Sequence, residues 1–187
     1  MKFQSMFRYF SGLVALALVL ATGSSIGSAQ TADSEQLSKL LSQARVQARL
    51  ADRDAETLES YTRSKVRWES HAASLERIRG HVNELGQLNK QLGDARTEGS
   101  PWQQKAVDQV DAHLRELADL LRATINHLND NKSQVHLQAY RDYAQANAKL
   151  ASHIAKMIDN FVDYDEAKSK ADVLEQKLGI PAAGNGM

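Results

Sequence analysis

Apolar residues recur every three or four positions over most of this chain, which is the pattern of helices that bury one face. The stretch from Ser100 to Asn131 has the clearest ends. Ser100-Pro101-Trp102-Gln103 places an N-cap residue before a proline at the first helical position, and Gln103 completes a capping box. We therefore predict an amphipathic helix of about 28 residues that ends at Asn129-Asp130-Asn131. Its apolar stripe consists of Ala106, Val107, Val110, Leu114, Leu117, Leu121, Thr124 and Leu128.

A second apolar stripe runs from Leu37 to Leu92, and no glycine or proline interrupts it before Gly80. Asp33-Ser34-Glu35-Gln36 offers an N-terminal cap for it. The pattern permits a single helix of about 60 residues that projects from a smaller body. We favour a break at Thr62-Arg63-Ser64-Lys65, because two helices of about 30 residues would match the Ser100–Asn131 helix and bury one another along their full length.

The last helical pattern follows a turn at Asn131-Lys132-Ser133, with Ser133 as the predicted N-cap. Its stripe runs from Tyr140 to Phe161. The sequence at 163–166 is a possible capping box, so 163–178 is either a short fifth helix or the continuation of the fourth. Gly179, followed by Ile180 and Pro181, predicts the stop.

The short loops between these helices predict an all-α fold, an up-down-up-down antiparallel four-helix bundle with a short C-terminal helix or helix extension. We expect one bundle domain over residues 30–181 and a disordered tail at 182–187. The 187 residues include only 2 Pro and 10 Gly, a composition that also favours helix.

Residues 1–29 have the pattern of a cleaved secretory signal. Lys2 and Arg8 precede an apolar core, and Gly27-Ser28-Ala29 forms a small-residue cleavage site. The alternative, an uncleaved anchor of about 18 residues, is marginal for spanning a bilayer. We expect a periplasmic or secreted protein with no stable membrane anchoring after cleavage. Because the chain has no cysteine, a lipoprotein anchor, disulfides and c-type haem attachment are excluded.

The charge pattern gives no indication of nucleic-acid binding. The formal net charge is +0, and removing Lys2 and Arg8 with the signal leaves 21 basic residues against 23 acidic ones. No basic stripe or run is present, so we expect no nucleic-acid partner.

Catalytic motifs are absent from the sequence. It contains no glycine-rich phosphate loop, no His-Glu-x-x-His and no Gly-x-Ser-x-Gly. None of the six histidines follows a glutamate by three residues, as di-iron bundles require. Paired carboxylates such as Asp108 and Asp111 are expected on polar faces or at caps. We therefore expect that the protein is not an enzyme.

Three histidines form the one candidate ligand set. If the chain turns at Gly99 and at Asn131, antiparallel pairing places His71, His127 and His136 level at one end of the bundle, near Tyr61 and Trp68. Three imidazoles could bind a transition metal or haem b. The alternatives are a structural, hydrogen-bonded polar layer and a pH-responsive cluster.

The leading hypothesis from the sequence is an exported, non-enzymatic bundle that acts through an unknown protein partner or through self-association. Asn89 and Asn147 interrupt the apolar stripes, and such residues commonly fix register or partner choice in helix packing. The alternative hypothesis is a small metal- or haem-binding protein that uses His71, His127 and His136.

Overall fold

A computed structural model of the protein describes residues 32–179, and every long element in this range is an α-helix. The helices are α1 (Glu35–Tyr61), α2 (Trp68–Ala95), α3 (Pro101–Asp130) and α4 (Gln138–Leu178). Two single-turn 3₁₀ helices, Arg96–Glu98 and Lys132–Gln134, lie in the connections on either side of α3. The all-α prediction is confirmed. The predicted signal at 1–29 and the predicted tail at 182–187 lie outside the described residues.

The predicted break in the long stripe is also confirmed. α1 ends at Tyr61 and α2 begins at Trp68, so the two helices have 27 and 28 residues against 30 in α3. The backbone leaves the helix through turns in which the amides of Thr62 and Arg63 bond the carbonyls of Glu59 and Ser60. Helices of nearly equal length can therefore bury one another from end to end.

The helices form a bundle in which α1 and α3 each pack against both α2 and α4. Polar contacts join the start of one helix to the end of its neighbour. Arg45, early in α1, lies 3.3 Å from Asp163 and 2.9 Å from Glu166, late in α4. Asp54, late in α1, lies 3.1 Å from Arg77, early in α2. These contacts are consistent with antiparallel neighbours.

The core is continuous along the bundle, and α1 contributes to it four alanines in its middle and leucines towards both ends. Ala44, Ala48, Ala51 and Ala55 are at most 1% exposed. Because these side chains are small, α2 and α4 approach α1 more closely than they approach α3. The largest buried side chains come from all four helices: Leu37, Leu41, Leu58, Leu75, Ile78, Leu85, Leu92, Leu117, Tyr140, Ile154 and Ile158.

The starts of α1 and α3 are joined by Gln103, whose side chain is fully buried. Its Oε1 accepts hydrogen bonds from the backbone amides of Ser34 (2.8 Å) and Ser100 (3.1 Å). Its Nε2 donates to the carbonyl of Ser34 (2.9 Å) and to Oγ of Ser38 (3.1 Å). Gln103, the predicted capping residue of α3, therefore also forms hydrogen bonds with polar groups at the N-terminal end of α1 that the helix itself leaves unpaired.

One prediction about α4 is wrong, and the structure decides between two alternatives for its end. Ser133 is not its N-cap, because residues 132–134 form a 3₁₀ turn and α4 begins only at Gln138. The helix continues through 163–166, where Asp163 and Glu166 pair with Arg45. Of the two alternatives for 163–178, the structure shows the continuation of α4. Gly179 ends it with φ 65°, as predicted.

Among residues 32–179, no helix combines the length and apolarity that crossing a membrane would require.

Candidate functional site

The first candidate site is a cluster of histidine and tyrosine rings where α2 begins, α3 ends and α4 begins. His71 lies at its centre and is fully buried. The rings of Tyr61 and Tyr140 form T-shaped contacts with its imidazole, with ring centroids 5.7 Å and 5.3 Å away. His127 stacks on Tyr140 at 6.1 Å and contacts Tyr143 at 5.0 Å. Three helices and the last residue of α1 thus contribute to one polar, aromatic layer.

The imidazole of His71 is held in its neutral form. Neither ring nitrogen has a hydrogen-bond partner with adequate geometry among the described residues. Burial lowers the pKa of His71, and the nearby backbone of Val66 opposes this effect only in part. A charged imidazole would lack both water and a counter-ion in this position, which is why the neutral form is favoured.

Tyr140 has a similar environment. Its side chain is 1% exposed, and its hydroxyl has no hydrogen-bond partner within residues 32–179. Burial alone raises its pKa. The hydroxyl therefore stays protonated and remains available as a hydrogen-bond donor.

The structure brings two of the three predicted ligand histidines to a shared neighbour. His71 and His127 both contact the ring of Tyr140. His136 is exposed and lies in the connection before α4. In the described part of the chain, no group of three His, Cys, Asp or Glu side chains is arranged to hold a metal ion.

A buried amide lies further along α4. Asn147 is fully buried, and its Nδ2 donates to Oγ1 of Thr124 (2.7 Å) and to the carbonyl of Tyr143 (2.9 Å). Asn89 donates to Asp111 at 2.8 Å. Both asparagines thus link neighbouring helices, which is the arrangement that fixes register in helix packing.

The carboxylates considered as possible acid–base pairs bond arginines instead. Asp108 accepts two hydrogen bonds from Arg96, at 2.6 Å and 2.7 Å, and this hydrogen bonding lowers its pKa. Asp111 lies 2.8 Å from Arg115 one turn away. A general acid near neutral pH needs a raised pKa, and the environment of Asp108 has the opposite effect.

Two histidine contacts were not predicted from the sequence. His113 of α3 and His153 of α4 meet edge to face at 4.8 Å. His81 lies 3.0 Å from Gln47 and 3.3 Å from Asp54, both on α1. These contacts depend on how neighbouring helices align in the bundle. They could not be predicted from the sequence because the residues involved lie far apart in it.

The second candidate site is the outer face of the α4 end, which we define as Ala167, Ala171, Leu174 and Leu178. All four side chains are exposed, Leu174 by 57% and Leu178 by 70%. Leu174 follows the core residue Ile158 by 16 positions, which places it roughly 160° around the helix from the buried face. The helical spacing of these four residues can be read from the sequence, but their position outside the bundle cannot.

The same outward face is polar along the body of the bundle. Lys149, Lys156 and Asn160 are exposed there. The change to alanine and leucine comes only after Asp163. Lys168, which lies 2.7 Å from Asp33, makes the last ion pair between α4 and another part of the described chain.

Comparison of the chain with protein-family models, with curated proteins and with solved structures found no significant match.

Proposed function

We propose that this protein is an exported, non-enzymatic helical bundle that acts through protein interaction or self-association. The single observation that supports this most strongly is the apolar outer face of the α4 end, a row of exposed alanines and leucines on an ordered helix. An exposed apolar surface of this kind is typical of an interaction site.

The sequence around this face supports an interaction role over a structural one. The core-facing side of α4 continues past the body with Asp165, Ser169 and Val173. The leucines therefore lie on the side that points away from the bundle, where they cannot extend its core. Burial of apolar surface stabilises a protein by about 25 cal/mol for each Å² removed from water. A partner that covers these leucines would therefore gain this free energy.

Site-specific crosslinking tests this proposal. A photo-crosslinking amino acid placed at Leu174 in cells of the native host should give a protein adduct, which mass spectrometry identifies. The matched control is Lys149, which is exposed on the same outward face but has polar neighbours. Adducts at Leu174 and none at Lys149 would support the proposal, whether the adduct is a second copy or another protein. The absence of any adduct at Leu174 would overturn it.

Export has a separate test. We expect the mature protein to begin at Gln30, after cleavage behind Ala29. N-terminal sequencing of the protein from the periplasmic and culture fractions checks this. An intact Met1 terminus in those fractions, or recovery only from the cytoplasm, would contradict export through a cleaved signal.

A small metal- or haem-binding protein is the second candidate function. The observation in its favour is that neither ring nitrogen of the buried His71 has a hydrogen-bond partner within residues 32–179, and that His127 contacts the same Tyr140 ring. Protein purified without a histidine tag should then bind zinc, copper or haem stoichiometrically, and His71→Ala or His127→Ala should abolish this binding. A melting temperature that does not respond to any of the three additions would rule out this candidate.

A further inference from the structure

We propose that the outer face of the α4 end binds the same face of a second copy, as a short, parallel, two-stranded coiled coil. This inference rests on the proposed function, because it names the partner of the same surface. It is carried by the spacing of the apolar residues and by the charges on either side of them.

The spacing is that of a heptad seam. Ala167, Ala171, Leu174 and Leu178 follow one another at intervals of four, three and four residues. This is the alternation of d and a positions in a coiled coil, with Ala167 and Leu174 at d and Ala171 and Leu178 at a. The small alanines lie nearest the body and allow two helices to approach closely, and the leucines supply apolar area towards the end.

The flanking charges favour a parallel pair. In this register Lys170 occupies a g position, and Glu175 occupies the e position of the next heptad. In a parallel coiled coil, Lys170 of one copy meets Glu175 of the other, and the two-fold symmetry repeats the contact. Neither side chain forms an ion pair within residues 32–179. An antiparallel pair would instead bring Lys170 towards Lys177, with repulsion between like charges, and its attraction between Lys168 and Glu175 would compete with the Lys168–Asp33 ion pair.

The structure also limits the extent of pairing. Towards the body, the same register places the polar residues Asn160 and His153 at d positions and Lys156 and Lys149 at g positions, so the alanine and leucine seam does not continue there. We therefore expect the two helices to separate below Asn160. About three turns of helix bury less than a standard interface, so the dimer should be weak. α4 is already helical in the bundle, so association requires no new helix nucleation.

Sedimentation equilibrium of the mature chain, from about 1 µM to about 1 mM, should show a reversible monomer–dimer equilibrium in this concentration range. Leu174→Asp should abolish dimerisation. The matched control is Val46→Asp, because Val46 on α1 is 55% exposed and lies outside the proposed interface. Equal loss of dimer in both variants would overturn the assignment to α4. Circular dichroism and thermal melting establish that both variants are folded.

Charge reversal tests the orientation. Lys170→Glu alone and Glu175→Lys alone should each weaken dimerisation by about fivefold, and the double variant should restore it. Stronger association of Lys170→Glu, or failure of the double variant to recover, would overturn the parallel arrangement. A chain that stays monomeric at every concentration would overturn the second-copy proposal. In that case, a Leu174 crosslink to a different protein would still support the general interaction function. The absence of such an adduct would overturn that function as well.

Discussion

Among single residues, His71 has the environment with the clearest consequence for stability. A fully buried imidazole without a hydrogen-bond partner in the described part of the chain contributes packing but no polar interaction. Its ring neighbours are Tyr61 and Tyr140, and no carboxylate pairs with it in the described part of the chain, so protonation would place a cation in a space without a counter-ion. The bundle therefore depends on a histidine that must remain neutral.

We predict that the free energy of unfolding decreases as the pH falls below about 6.5, the ordinary pKa of histidine. Because the folded-state pKa of His71 is lowered, the unfolded chain takes up this proton more readily than the native chain does. The stabilisation is complete above the unfolded pKa and is lost as the pH falls towards the folded one. Urea unfolding at pH 7.5, 6.5 and 5.5 measures this effect.

His71→Leu should flatten that dependence, because the leucine fills most of the space and carries no titrating group. His136→Gln is the control, since it removes an exposed histidine outside the cluster. If the slope between pH 7.5 and 5.5 is as steep in His71→Leu as in the natural sequence, His71 is not its source.

Gln103 is the second residue whose loss should be costly. Its hydrogen bonds satisfy backbone groups of Ser34 and Ser100 and the hydroxyl of Ser38. Gln103→Ala leaves buried donors unpaired and should destabilise the protein by about 2–3 kcal/mol in urea unfolding. Gln109→Ala, a partly buried position on the same helix, should change stability by less than about 0.5 kcal/mol. Similar losses in the two variants would contradict the linking role of Gln103.

The sequence predicted the helices best where a start or stop signal had no competing tertiary contact. α3 lies between Ser100 and Asn131 as predicted, because Pro101 and Gln103 fit only a helix start. The break after Tyr61 had no local signal and was predicted from the requirement that the helices match in length. The sequence left open whether α4 ends at Asp163 or continues, and in the structure it continues while that carboxylate pairs with Arg45, 118 residues away in the sequence. No local pattern shows such a pairing.

The candidate histidine site was predicted in part, for a geometric reason. The pairing of His71 with the end of α3 depended only on the turn near Gly99, where the chain does turn. The second turn is longer than predicted, because the 3₁₀ helix at 132–134 moves the turning point away from Asn131. The residues opposite His127 are therefore Tyr140 and Tyr143, and His136 lies in the connection.

A glycine in the exposed part of α2 lowers the stability of that helix. Gly86 is exposed, and a Cβ added there would meet nothing within 4 Å. Gly86→Ala should therefore raise the free energy of unfolding by about 0.5–1 kcal/mol, because alanine restricts the unfolded backbone more than glycine does. Gly99→Ala is the opposite case, since its Cβ would collide with Leu37. A loss of stability in Gly86→Ala would contradict the open space around this position.

For the whole molecule, we predict separate roles for the bundle and for the end of α4. α4 has 41 residues, against 30 or fewer in the other three helices. Its buried positions end at Val162, and its ion pairs with the body end at Lys168 in the described chain. Stability should therefore depend on residues up to about this point, and interaction on the residues beyond it.

Ending the chain after Ser169 tests this division directly. The truncated protein keeps Lys168 and its contact with Asp33, so its free energy of unfolding at low concentration should change by less than about 0.5 kcal/mol. The same truncation removes Ala171, Leu174 and Leu178, so both the dimer in sedimentation equilibrium and the concentration dependence of the melting temperature should disappear. A large loss of stability in the monomer would mean that the end of α4 belongs to the folding core. Dimerisation that survives the truncation would place the self-association surface on the body of the bundle.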